Sequence, residues 1–169
     1  MEWDQAVLDW FVEQRREGLD GVVAAFSIAM SPRFIILACV LGVAVAAVRI
    51  RRMPVRAVWV LATVCAAGLS SSLLKTTFGR ARPDESYQML IETNPSMPSG
   101  HALVAMGAAV AVACVVRRTW VPAVVVLAVG SGLSRLYLGV HWLSDVAAGW
   151  LLGAFIGFMS WLLLRRYLN

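Results

Sequence analysis

The chain has 169 residues, 60% of them hydrophobic, and a mean hydropathy of +0.74. That is too apolar for a water-soluble domain and points to a one-domain helical membrane protein. The net charge of +5 is spread as small arginine groups between apolar runs. With no contiguous basic face, a nucleic-acid-binding surface is excluded, and the arginines are read as topology signals.

Taken in chain order, the first residues, Met1 to Gln5, lack a basic stretch leading into an apolar run, so no cleavable signal peptide is expected. Trp3, Ala6, Val7, Trp10 and Phe11 recur at helical spacing, with Glu2, Asp4, Asp9 and Glu13 on other faces. This pattern predicts an amphipathic helix lying at the membrane interface. The apolar run 21–30 is too short to span alone and is followed by Pro32; one irregular span over 5–30 is the alternative. Apolar runs then follow at 33–50, 56–74, 101–116, 119–134 and 143–164. At 1.5 Å per residue most of them can cross a hydrocarbon core of about 30 Å. The expected fold is all-α: a polytopic transmembrane helical bundle with five clear spans, possibly six. Residues 1–31 form an N-terminal amphipathic or partial-span segment, and 32–169 form the transmembrane catalytic bundle. Cys39, Cys65 and Cys114 lie inside apolar runs at no metal-binding spacing and are expected as buried free thiols. Gly149, Gly153 and Gly157 recur every four residues in the last run, which predicts close packing against another helix of the same chain.

Arginines mark one set of connections: Arg49, Arg51, Arg52 and Arg56, then Arg117 and Arg118, then Arg165 and Arg166. With alternating spans these share one side, which the positive-inside rule makes cytoplasmic. The loop 75–100 and the turn 135–142 then fall on the outer side. Three polar clusters lie there. They hold the only lysine and both histidines.

The first cluster has Lys75, Arg80 and Arg82, the last held by Pro83. A lysine point charge with arginine forks suits a phosphate, while snorkelling at the interface remains the other reading of Arg80. The second cluster is Pro98-Ser99-Gly100-His101, at the start of an apolar helix. Ser99 is placed as an N-cap, Gly100 permits close backbone approach, and the free N–H groups there point toward an anion. The third has Ser134 and Arg135, then His141 and Asp145 one helical turn apart, so that the carboxylate reaches the imidazole. Cations, two histidines and an orienting carboxylate are the parts that phosphoryl transfer needs. Two histidines and an aspartate could also bind zinc, but Lys75, Arg82 and Arg135 would repel a metal ion, and none is expected.

Lys75-x6-Arg82-Pro83, Pro98-Ser99-Gly100-His101 and Ser134-Arg135-x5-His141-x3-Asp145 together resemble the signature of the type 2 phosphatidic acid phosphatase superfamily. These are integral-membrane lipid phosphatases related to vanadium haloperoxidases. Every position and spacing of the three motifs is present between 75 and 145. The resemblance implies that His141 attacks phosphorus to form a phosphohistidine and that Asp145 orients it. It implies that His101 protonates the leaving oxygen, and that Lys75, Arg82, Arg135, Ser99 and the Gly100 N–H hold the phosphoryl oxygens. It implies neither metal nor organic cofactor, and a substrate drawn from the bilayer: undecaprenyl diphosphate, phosphatidylglycerophosphate or phosphatidate. Transfer of the phosphate to an acceptor lipid would use the same residues. A transporter or structural protein would instead carry its charges along the span interiors. The expected location is the cell membrane, multi-pass, with the site on the extracytoplasmic side.

Overall fold

The computed structural model describes residues 2–50 and 54–168, so Arg51 and Arg52 lie outside the described residues. Seven α-helices follow one another: α1 Glu2–Glu13, α2 Glu17–Ala29, α3 Pro32–Ile50, α4 Val55–Phe78, α5 Gly100–Ala113, α6 Val121–Tyr137 and α7 Leu143–Leu168. Two short 3-10 turns, Glu85–Tyr87 and Arg118–Trp120, sit in the connections. No strand occurs among the described residues.

The spans 32–49, 55–78, 118–137 and 143–166 are long and apolar enough to cross a membrane, which marks a multi-pass membrane protein. The expected fifth run, 101–116, gives a shorter helix: α5 has 14 residues, a rise of about 21 Å. It is the central helix, packed against α3, α4, α6 and α7. Ala102, Leu103, Val104, Ala105, Gly107, Ala109 and Ala111 are all buried along it.

Within a bilayer, apolar side chains gain little by leaving lipid for protein, so close packing of small residues carries helix association. That is what α7 offers to α5. A Cβ placed on Gly149 would lie 2.9 Å from the Ala102 Cβ, and one on Gly157 would lie 2.7 Å from the Val110 Cβ. The predicted close packing is therefore found, and it lies within the chain. Polar anchors add to it deeper in the bundle: Trp59 Nε1 donates to the Ser160 carbonyl at 3.0 Å, and the Thr63 and Ser160 hydroxyls are 2.9 Å apart. Cys65 and Cys114 are exposed on the bundle surface and Cys39 is half-buried, so the expectation of buried thiols fails.

Residues 14–16 break the N-terminal segment into two helices. The break is fixed by Arg15, whose Nε donates to the Tyr137 carbonyl at 2.9 Å and whose Nη2 donates to the Tyr87 carbonyl at 2.7 Å. Tyr137 Oη accepts from the Arg16 N–H and donates to Asp20. α1 is helical as its spacing predicts, but its inner face differs from the expected one. Leu8 and Asp4 are each 1% exposed, while Trp3 and Trp10 are more than half exposed. Val7 and Phe11 pack on Ala102, Leu136 and Val146. An aspartate turns inward because partners wait for it there, as the next subsection describes.

Candidate active site

The ends of α2, α4 and α6 and the starts of α3, α5 and α7 meet at one end of the bundle. Two left-handed glycines make this possible. Gly79, at φ +55°, ends α4, with its N–H on the Lys75 carbonyl at 3.0 Å. The chain then doubles back through Arg80 and Arg82. Gly139, at φ +71°, does the same after α6 and delivers His141. A side chain at either glycine would be strained. The loop between α4 and α5 is held on both flanks: the Met89 N–H donates to the Leu138 carbonyl and the Ser96 N–H to the Arg80 carbonyl. The Ser99 N–H donates to the Asp145 carbonyl at 3.0 Å, joining the second cluster to the third.

Lys75, Arg82, Gly100, His101, Arg135 and His141 line a single cavity of about 560 Å³. Residues from all three sequence clusters thus share one space. Asp145 and Ser99, both 0% exposed, stand behind that lining. Asp145 Oδ2 faces His141 Nδ1 at 3.4 Å and accepts the Trp142 N–H at 3.0 Å. On the other side of the ring, Arg82 Nη1 lies 3.2 Å from Nε2 and also donates to the Val140 carbonyl at 2.5 Å. A guanidinium can only donate and a carboxylate can only accept. The neutral ring between them therefore carries its proton on Nδ1 and its lone pair on Nε2. Burial holds the His141 imidazole well below its ordinary pKa, and Arg82, Arg135 and Lys75 push the same way. The result is an unprotonated nitrogen facing a cationic cavity.

Ser99 occupies the N-cap position of α5 but makes no side-chain cap bond. Its buried Oγ has no hydrogen-bond partner, and neither does Arg135 Nε. The expected N-cap position is found, but the capping bond from the Ser99 side chain is not made. Gly100 earns its place by proximity, since a Cβ there would lie 3.0 Å from the Ser71 Oγ and 4.0 Å from the Lys75 Cε. Arg80 does not line the cavity. Its Nη1 donates to Asp145 Oδ1 at 2.6 Å and its Nη2 to Asp4 Oδ2 at 2.7 Å.

Several cavity residues escape the sequence reading. Glu92 reaches between two guanidiniums, with Oε1 at 2.5 Å from Arg135 Nη2 and Oε2 at 3.6 Å from Arg82 Nη2. Asn94 Oδ1 accepts from Arg82 Nη2 at 2.6 Å and from Lys75 Nζ at 3.2 Å. Lys75 also donates to the Pro95 carbonyl. Ser27 of α2 accepts Arg135 Nη1 at 2.9 Å, so the N-terminal segment touches the site. None of these belongs to a spaced motif; only the scarcity of acids after Asp84 singles out Glu92. Among the described residues, no group of three or more His, Cys, Asp or Glu side chains is placed to hold a metal ion.

A helical bundle with four helices long and apolar enough to cross a membrane thus gathers two histidines and converging cations at one end. The chain belongs to the PAP2 superfamily, whose family model matches residues 56–168. It is 45% identical over 75 residues to an undecaprenyl-diphosphatase of Sulfolobus acidocaldarius, covering 42% of this chain and 36% of that protein. It is 32% identical over 113 residues to a lipid A 1-phosphatase of Rhizobium johnstonii, covering 62% and 46%. The chain thus spans less than half the length of these curated relatives. The fold matches the crystal structure of a PAP2-type phosphatidylglycerolphosphate phosphatase from Bacillus subtilis with a TM-score of 0.89 at 24% identity, over 98% of this chain and 86% of that one.

Proposed function

We propose that the protein is an integral-membrane phosphatase of lipid phosphates or diphosphates, working without a metal through a phosphohistidine on His141. The observation that carries the reading is His141 itself. Its Nε2 faces a cation-lined cavity while Asp145 stands at Nδ1. In the first step Nε2 attacks phosphorus as the bond to the leaving oxygen breaks. Lys75, Arg82, Arg135, the Ser99 hydroxyl and the Gly100 N–H hold the three phosphoryl oxygens and the charge that grows on them. Asp145 compensates the positive ring. His101 gives its proton to the leaving oxygen. In the second step His101 takes a proton from water, whose oxygen attacks phosphorus and breaks the N–P bond, freeing inorganic phosphate.

The lipid character of the substrate is supported by the placement of the cavity at helix ends. It is supported too by an apolar groove of about 140 Å³ lined by Met30, Ile35, Ala105, Ala109 and Leu127, among others. The names of the relatives point the same way. Undecaprenyl diphosphate, phosphatidylglycerophosphate and phosphatidate are the candidate substrates. In this reading α3 to α7 are five spans, with α5 sheltered by the others. Residues 1–31 lie at or partly within the interface, and the cavity opens on the extracytoplasmic side.

The test is phosphate release from a panel of purified lipid phosphates in detergent, with EDTA present. The wild type is expected to turn over and to form a protein-bound phosphate that is labile to acid and stable to base, as a phosphoramidate is. His141→Ala is expected to do neither while staying monodisperse. Release near the wild-type rate from His141→Ala, or full loss of activity to EDTA with recovery on adding magnesium or zinc, would overturn the reading.

A further inference from the structure

The acidic residues of α1 have a face to solvent available, yet Asp4 is 1% exposed. Its Oδ1 accepts the Ser144 N–H at 2.9 Å; its Oδ2 accepts the Ser144 hydroxyl at 2.6 Å and Arg80 Nη2 at 2.7 Å. The Ser144 N–H is one of the free donors at the start of α7, so Asp4 supplies from another helix the cap that α7 needs. The opposite nitrogen of Arg80 holds Asp145 Oδ1 at 2.6 Å, and Asp145 faces His141. An unbroken path of polar contacts runs from Asp4 through Arg80 and Asp145 to the His141 ring. Neither Asp4 nor Arg80 lines the cavity.

We propose that Asp4 and Arg80 are positioning residues, a relay from the N-terminal helix that fixes Asp145 and thereby His141; this rests on the reading of His141 as nucleophile. Two features argue for a role beyond holding α1 in place. The first is restraint. The Arg80 side chain is 20% exposed and its guanidinium carbon lies 5.6 Å from the centre of the Trp142 ring. Paired with Asp145 alone it could swing outward over that ring; gripped by two carboxylates it cannot. The second is charge. Asp145 with Arg80 alone sums to zero, whereas Asp4, Arg80 and Asp145 together carry one net negative charge. That charge complements a ring that becomes positive as the N–P bond forms and the P–O bond breaks. The relay itself carries no proton and forms no bond to substrate.

The test uses the full chain in detergent. Asp4→Asn keeps the shape and removes the charge. The expected result on an aryl phosphate and on a lipid phosphate is a kcat lower by about 10–100-fold, the size of loss seen when a hydrogen-bond partner of a metal-ligating histidine is removed. KM and the inhibition constant for inorganic phosphate should stay within about threefold, since the phosphate-binding groups are untouched, whereas vanadate, which mimics the transition state, should weaken in parallel with kcat. Arg80→Gln should give the same pattern, and the double variant should be no worse than Arg80→Gln alone, because both act through one path. A readout independent of turnover is the 15N spectrum of labelled histidine. The chain has only two histidines, assigned through His101→Ala. His141 should be the Nδ1–H tautomer in both forms, with its Nδ1 resonance shifted in Asp4→Asn as the contact with Asp145 loosens. A wild-type kcat in Asp4→Asn, an additive double variant with inorganic-phosphate affinity lost in parallel, or an unmoved His141 Nδ1 resonance would each overturn the relay. Should the wild type release no phosphate while the His141 Nδ1 resonance still responds to Asp4→Asn, the positioning role stands and the hydrolase reading falls.

Discussion

His141 has two neighbours that leave it no choice of tautomer, and its burial leaves it no proton to lose before attack. The free imidazole titrates near about 6.5, and the folded group titrates well below that. The sign follows: as pH falls through the ordinary histidine range, His141 stays neutral and reactive. Phosphohistidine formation, followed by rapid quench with a reactive aryl phosphate, should therefore stay flat down to about pH 6 and fall only at lower pH. A single acid limb centred on the ordinary histidine value would contradict this environment. The motif residues were legible because spacing alone brings them to helix ends. Asp4 and Glu92 were not. An isolated carboxylate is read as solvent-facing because burying one is costly. What cancels the cost for Asp4 is Arg80 and Ser144, 76 and 140 residues away.

At the level of helices, the α5–α7 seam tests how the bundle holds together. A Cβ on Gly153 would overlap the Leu103 carbonyl oxygen and sit 3.0 Å from the Gly107 nitrogen. Both neighbours are backbone and cannot step aside. Gly153→Val should lower stability by at least about 1–3 kcal/mol, the usual cost of overpacking, seen as an earlier thermal transition in detergent. Gly42→Ala, with nothing within 4 Å of the added carbon, should leave that transition in place. The four-residue glycine repeat made this seam readable in advance. The length of α5 was not readable, because hydropathy records composition and says nothing of where a helix ends within an apolar run. α5 ends at Ala113, although the apolar run continues. The apolar face of α1 was misread for a similar reason: Trp3 and Trp10 satisfy a helical period and are still turned outward.

For the whole molecule, the arginines at the ends of α3 and α7, the start of α4 and the α5–α6 connection lie away from the cavity, at the opposite end of the bundle. Arginine bias in short loops then predicts a cytoplasmic position for Arg49, Arg56, Arg117, Arg118, Arg165 and Arg166. In a background without the three native cysteines, Glu85→Cys should react with an impermeant thiol reagent in intact cells. Arg118→Cys should react only after the membrane is opened; the reverse would put the cavity in the cytoplasm. A cavity at the lipid surface also faces a difficulty of numbers, because every phosphodiester headgroup nearby carries one negative charge. Glu92 carries one as well, and it already spans Arg82 and Arg135. Exchanging it for a phosphodiester gains nothing in charge, whereas a phosphomonoester brings about 1.5–2 negative charges at neutral pH. Phosphatidylglycerol should therefore inhibit the wild type poorly and Glu92→Gln several-fold more strongly, read as inhibition constants in mixed micelles. Under the proposed function, the resident carboxylate would be a toll on entry that bulk phosphodiesters do not meet, and turnover would proceed among a vast excess of near-substrates without clogging.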